Sequence, residues 1–186
     1  MKMKKLACFA FAGVLLSACS NSANKTTPAG QDQNNKIEIT NDMESASSVI
    51  PSWQNEKTVV ELKEPAAHSG KFVCVTNDTA EFGYAYAELV KNISSVIPKK
   101  VTVDGWVYTT VANPKFSVIL DVSENSKLYD WKAFPLDSIN ETGKWVAFSA
   151  SFYFDKPLNP EQSIKLYPWN QSKKPIYIDD LKITFE

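Results

Sequence analysis

From position 36 onward, apolar and polar residues alternate with a period of two, the spacing of strands that bury one face. Val101, Val103, Val107 and Val111 are separated by Thr102, Asp104, Trp106, Tyr108 and Thr110. Phe116, Val118, Leu120 and Val122 alternate with Ser117, Asp121 and Ser123, Ile119 being the exception. Val146, Phe148, Ala150, Phe152 and Phe154 oppose Trp145, Ala147, Ser149, Ser151 and Tyr153. The same reading predicts strands over 36–41, 58–63, 71–76, 81–86, 163–169 and 175–185. Only 85–97 has helix-compatible spacing, and β-branched Ile93, Val96 and Ile97, closed by Pro98, limit it to one short helix. About nine strands with at most one short helix predict an all-β fold, a sandwich of two antiparallel sheets.

The last strand changes phase. Ile176 and Ile178 occupy even positions, Leu181, Ile183 and Phe185 odd ones, with Asp179 and Asp180 between. A one-residue bulge there keeps both halves facing the core and turns one carboxylate inward. A buried carboxylate needs a partner, and the candidates are Lys, backbone amides or a metal.

The first 35 residues lack this alternation. Met1 to Lys5 carry three Lys, and the apolar run Leu6 to Leu16 is too short to span a bilayer, which is the pattern of a secretory signal peptide. Residues 20–35 contain no large apolar side chain and read as a flexible tether. The expected organisation is therefore signal peptide 1–18, tether 19–35 and β-sandwich 36–186. Leu16-Ser17-Ala18-Cys19 resembles the bacterial lipobox, which implies a lipid on Cys19, cleavage before it and a membrane anchor. Ser20 follows the Cys instead of Asp, as in lipoproteins sorted to the outer membrane, so the expected location is the bacterial cell envelope.

Composition narrows the function. All 20 cations of the 186-residue chain are Lys, and its formal charge is −1, which leaves neither the basic field nor the guanidinium forks that nucleic acid favours. One His, and a single Cys once Cys8 and Cys19 are set aside, make a nitrogen- and sulfur-ligated zinc site improbable. That remaining Cys74, in Phe72-Val73-Cys74-Val75, reads as a small core residue.

Three segments resemble the calcium-containing jelly-roll carbohydrate-binding modules of bacterial glycanases and the Bacteroidetes lipoproteins built on the same galactose-binding-like fold. They are Asn41-Asp42-Met43-Glu44, followed by Trp53; Ala67-His68-Ser69-Gly70-Lys71; and Tyr177-Ile178-Asp179-Asp180-Leu181. Met43 stands where the family usually has Phe. The resemblance implies a jelly roll with one structural calcium held by Glu44, the Lys71 carbonyl and Asp179, with Asp42 as a further candidate ligand. Ca²⁺ takes about 6–8 oxygen ligands and mixes carboxylates with carbonyls, which suits that set.

Sugar recognition needs flat aromatic faces beside groups that grip hydroxyls. Trp106, Trp145 and Trp169 lie out of phase with the aliphatic runs and so belong to faces opposite those aliphatics, which alone does not expose them, since Trp on sandwich strands more often serves as core or edge cover. Tyr129-Asp130-Trp131 and Trp169-Asn170-Gln171 each join aromatics to polar groups at an expected turn, making Tyr129, Trp131, Trp169 and Asn170 candidate glycan contacts, with Trp53 a further one. The leading expectation is a non-catalytic, envelope-anchored module that binds a glycan or glycoconjugate. One rival is an assembly lipoprotein with an envelope protein partner. Another is a small glycoside hydrolase using Asp121 with Glu124, or Asp155 with Glu161, if either pair stood about 5–5.5 or 6.5–9.5 Å apart.

Overall fold

The computed structural model describes residues 36–45 and 50–186. The signal-peptide, tether and Cys19 expectations lie outside the described residues. The strands are β1 (Ile37–Asn41), β2 (Trp53–Gln54), β3 (Val59–Glu61), β4 (Phe72–Thr76), β5 (Ala85–Leu89), β6 (Lys100–Thr109), β7 (Phe116–Glu124), β8 (Lys127–Pro135), β9 (Trp145–Tyr153), β10 (Ser163–Asn170) and β11 (Ile176–Phe185). A 3-10 turn covers Glu56–Thr58, and a single helical turn, Val90–Ile93, occupies the segment with helical spacing.

The fold is a jelly-roll β-sandwich of two antiparallel sheets. One runs β3-β4-β11-β6-β9, with β1 also on β11; the other runs β2-β5-β10-β7-β8. The alternation sets which side chains meet between them. Val101, Val103 and Val107 of β6, Phe148, Ala150 and Phe152 of β9, Val118, Leu120 and Val122 of β7, and Ile164 and Leu166 of β10 are buried in one apolar cluster. At about 25 cal/mol per Å² of apolar surface removed from water, this interior is the main stabilising contribution. Cys74 belongs to it, and burial pushes its thiol pKa up to about 11, which leaves it unreactive.

β11 shares one edge between two partners. Its first residues pair with β4, from Ile176 with Thr76 to Ile178 with Cys74, and its last five pair with β1. Against β6 the register shifts between Asp179 and Lys182, and Asp180 takes φ 48°, so the bulge expected from the phase change is present at the point where the partner changes.

Two strands are additional to the nine expected. β2 has only two residues. β8 carries a register shift opposite Val122 and Ser123, with Asp130 paired to Val122 and Leu128 to Ser123, which leaves Tyr129 as the extra residue and breaks the alternation along the strand. Tyr129, Asp130 and Trp131 are therefore on a strand, not at a turn.

Candidate functional site

Two places gather chemistry. At the first, the turn before β4 meets the β11 bulge. After β1, Asn41 Oδ1 accepts from the Met43 amide (2.8 Å) and Asp42 Oδ1 from the Glu44 amide (3.2 Å). This sends the Met43 side chain into the core, 1% exposed, and Glu44 toward Gly70. Glu44 Oε1 accepts from the Lys71 and Phe72 amides at 2.7 and 2.8 Å. Gly70 has φ +54°, and a Cβ there would run into the Glu44 carboxylate. Asp179 is fully buried and accepts from the Ser69 amide (3.1 Å) and the Asp180 amide (2.8 Å). Burial is the main cause that raises its pKa to about 6, offset in part by those amides. Asp180 accepts from Ser69 Oγ (2.7 Å) and lies 2.6 Å from His68 Nδ1, while His68 stacks on Trp106 at 3.9 Å between ring centroids.

Glu44 and Asp179 thus reach one turn, as the family resemblance implies, but their oxygens face amide N–H groups. The Lys71 carbonyl accepts from the Leu62 amide (2.8 Å), and the Lys71 side chain takes no part. Asp42 is exposed and holds its own turn. Among the described residues no three His, Cys, Asp or Glu side chains converge as metal ligands. The contacts seen are those of a hydrogen-bonded knot tying the end of β1 to β4 and β11. Because the Asp180 carboxylate lies between Ser69 and His68, the hydroxyl and the imidazole are not arranged as nucleophile and base.

The second place is the outward face of the five-stranded sheet. Cross-strand register arranges it in rows. Phe82, Trp169, Ser117 and Pro135 form one; Tyr167, Ile119 and Ala133 the next; Ala87, Lys165, Asp121 and Trp131 the third. Phe82 is 49% exposed and Trp131 43%. Phe82 and Trp169 are nearly parallel, with centroids 6.1 Å apart and planes at 19°, and Trp131 meets Trp169 edge-on at 6.2 Å. In register between the two indoles lies Ile119, fully buried yet outside the interior cluster, which explains its exception to the alternation. Gly83 permits the close approach that sets Phe82 beside Trp169, since a Cβ there would come within 2.6 Å of Pro168 and 2.7 Å of the Cys74 sulfur. Asn55 Nδ2 holds the same turn through the Phe82 and Gly83 carbonyls (2.7 and 3.1 Å). A groove of about 430 Å³ beside this shelf is lined by Gln54, Asn55, Phe82, Asp121, Lys165 and Tyr167, among others.

Polar capacity on this face is left over. Asp121 forms no hydrogen bond or salt bridge among the described residues, and burial pushes its pKa up, with the Lys165 charge offsetting part of the shift. Lys165 Nζ stands 5.7 Å from the centre of the Tyr167 ring. Burial also raises the pKa of the Tyr167 phenol, against a hydrogen bond from Trp131. Trp169 Nε1 is the buried side-chain donor without a partner among the described residues, an omission that costs about 1–3 kcal/mol.

Of the five aromatic and amide candidates, the structure brings Trp131 and Trp169 together and places the other three elsewhere. Trp53 is 9% exposed, stacked on Tyr84 at 5.1 Å and edge-on to Tyr86 at 5.6 Å, so it is a core residue. Asn170 is fully buried: its Nδ2 donates to Thr76 O, Thr76 Oγ1 and Lys174 O, and its Oδ1 accepts from Ser172. It fixes the turn after β10 and has nothing left for a ligand. Tyr129, displaced by the bulge, donates to Pro157 O at 3.2 Å and lies under Lys156. Phe82, Tyr167, Asp121 and Lys165 share this face and its groove and are not among the aromatic and amide candidates expected from the sequence. Of the carboxylates weighed for hydrolysis, Asp155 is held by Lys132 (2.6 Å), Glu161 by Lys91 (2.8 Å) and Glu124 by Asn159 (3.1 Å).

No family model and no curated protein matches the chain. Solved structures similar to it include the CBM22-1 xylan-binding domain from Paenibacillus barcinonensis Xyn10C, at TM-score 0.47 and 16% identity over 79% of this chain and 92% of that one. The xylan-binding domain from CBM 22, formally x6b, gives 0.49 and 13% over 82% and 96%. TmCBM61 in complex with β-1,4-galactotriose gives 0.42 and 15% over 76% and 94%. None of these TM-scores reaches 0.5.

Proposed function

We propose that the outward face of the five-stranded sheet binds a glycan without chemical conversion. The observation that carries this is the pairing of a near-parallel aromatic shelf, Phe82 and Trp169 with Trp131 at its side, with polar groups that the fold leaves unpartnered. Pyranose CH groups stack on such faces, while the ring hydroxyls need donors and acceptors at the edge; Asp121, Lys165 and Gln54 stand there. A glycan array probed with the protein tests the reading. Trp131→Ala should lose at least tenfold in apparent affinity with an unchanged melting temperature, and a wild type that retains no glycan sinks it.

Two further proposals concern placement and metal. A lipid on Cys19, motivated by Leu16-Ser17-Ala18-Cys19, would anchor the module in the cell envelope; Cys19→Ala should move the protein to the soluble fraction. Calcium at the knot is supported by the convergence of Glu44 and Asp179 on the Gly70 turn, and would require their oxygens to exchange amide N–H groups for the ion. A melting temperature that is the same in calcium and in chelator assigns the knot to hydrogen bonds alone.

A further inference from the structure

Lys165 and Asp121 are direct cross-strand partners with side chains on the same outward face. Opposite charges so placed ordinarily pair. Here they remain more than 4 Å apart, and neither bonds to any other group among the described residues. The ammonium stands over the Tyr167 ring, and the carboxylate sits in register between Lys165 and the Trp131 indole. One acceptor and one donor, not in contact with each other, thus line the groove at the edge of the shelf.

Resting on the glycan reading above, we propose that Asp121 and Lys165 read two adjacent free hydroxyls on one sugar ring, so that the site takes a neutral saccharide with an unsubstituted vicinal diol. One hydroxyl donates to the Asp121 carboxylate and the oxygen of its neighbour accepts from Lys165 Nζ, two charge-assisted hydrogen bonds of opposite polarity. The aromatic shelf supplies contact area that tolerates many sugars, and the Asp–Lys pair supplies the selection. A charged substituent gains from one member of the pair and loses to the other, so the pair has no net charge to attract a uronate or an amino sugar, and each hydroxyl of a neutral diol finds the partner of matching polarity.

The test is native electrophoresis of the full chain through gels containing soluble xylan, galactan or mannan, the same polymers after periodate cleavage of their vicinal diols, or polygalacturonate. Wild type should be retarded by at least one neutral polymer and lose that retardation after periodate, an arm that needs no variant to fold. Asp121→Asn and Lys165→Met should each weaken binding at least tenfold with melting temperatures unchanged. Retardation that survives periodate overturns the proposal, as does preference for polygalacturonate. If both charge variants bind like wild type while Trp131→Ala does not, the diol reader falls and the shelf stands. If no neutral polymer retards wild type, both fall together.

Discussion

Aromatic side chains cover both outer faces of the sandwich, but only one face has finished with them. On the six-stranded sheet, Tyr177, Tyr108 and Trp145 meet edge-on at 6.0 and 5.7 Å, Trp145 Nε1 donates to the Ala66 carbonyl at 3.0 Å, and Trp106 carries His68 on its face. These rings clamp the loop that leads into the Ser69–Lys71 turn. On the five-stranded sheet, Phe82 and Trp169 lie side by side, Trp131 projects into solvent, and Trp169 Nε1, Asp121 and Lys165 find no hydrogen-bond partner among the described residues. Aromatic content alone therefore does not mark a binding face. Unused hydrogen-bonding capacity beside it is what supports the proposed site, since buried polar groups are ordinarily paired and Trp169 Nε1 has no partner among the described residues.

Exchanging one indole on each face breaks the comparison most directly. Trp106→Ala should cost about 3 kcal/mol, in the range for removing a packed Trp, and leave glycan affinity per folded molecule unchanged. Trp131→Ala should do the reverse, with binding lost and stability within about 1 kcal/mol. Equal stability losses in urea titrations of the two variants would end the distinction between clamp and shelf.

The knot offers the next largest effect. Glu44→Ala removes the acceptor of two amides; the exposed Lys71 amide can turn to water, and the half-buried Phe72 amide left without a partner costs about 1–3 kcal/mol. Gly70→Ala should destabilise too, by at least about 1–2 kcal/mol for the left-handed backbone. Chemical denaturation measures both, and neither variant should alter binding at the opposite sheet.

A smaller, pH-dependent effect sharpens the picture. Asp179 has a folded pKa of about 6 against the ordinary 3.8, so between those values the folded state holds the proton more firmly than the unfolded chain. Its contribution to stability is thus greatest below about pH 4 and declines as pH rises toward 6, by on the order of 2–3 kcal/mol over the full interval. In chelator, the stability difference between wild type and Asp179→Asn should shift against wild type across that window. A difference that stays constant would mean that the amides fully compensate the buried charge.

What the sequence made legible follows from which signals are local. β6 and β9 could be read because each keeps an unbroken period of two, and the bulge in β11 because the apolar phase changes within one strand. β8 was missed because Tyr129 breaks its phase and because Asp130 and Lys132 occupy inward positions. At this sheet edge Lys132 can reach Asp155 and the Tyr153 carbonyl, so a charge there is satisfied. Within β10 the alternation already set Lys165, Tyr167 and Trp169 on one face. Their meeting with Asp121 and Trp131 depends on β10 lying beside β7 and β7 beside β8, and the first of these pairings joins residues 40 to 54 apart in sequence, with no local trace. Asn170 and Trp53 show the opposite error, since a polar or aromatic residue at a strand end looks the same whether it caps a turn, fills the core or grips a ligand.

The division of the β11 edge between β4 and β1 has a mechanical consequence. Any load transmitted along the chain into Lys36 enters at the Ile37–Phe185 pair and must strip β1 from β11 rung by rung as far as Asn41 and Leu181. Beyond that rung the chain turns through Met43 into the Glu44 bonds to the Lys71 and Phe72 amides, which belong to a different part of the sheet and take the load only once the ladder has opened. The knot is thus an arrestor: it lets the first strand yield while the β4, β11 and β6 framework and the opposite sheet hold their shape. Pulling from residue 36 in a force microscope should show a short extension before the main rupture, and Glu44→Ala should merge the two.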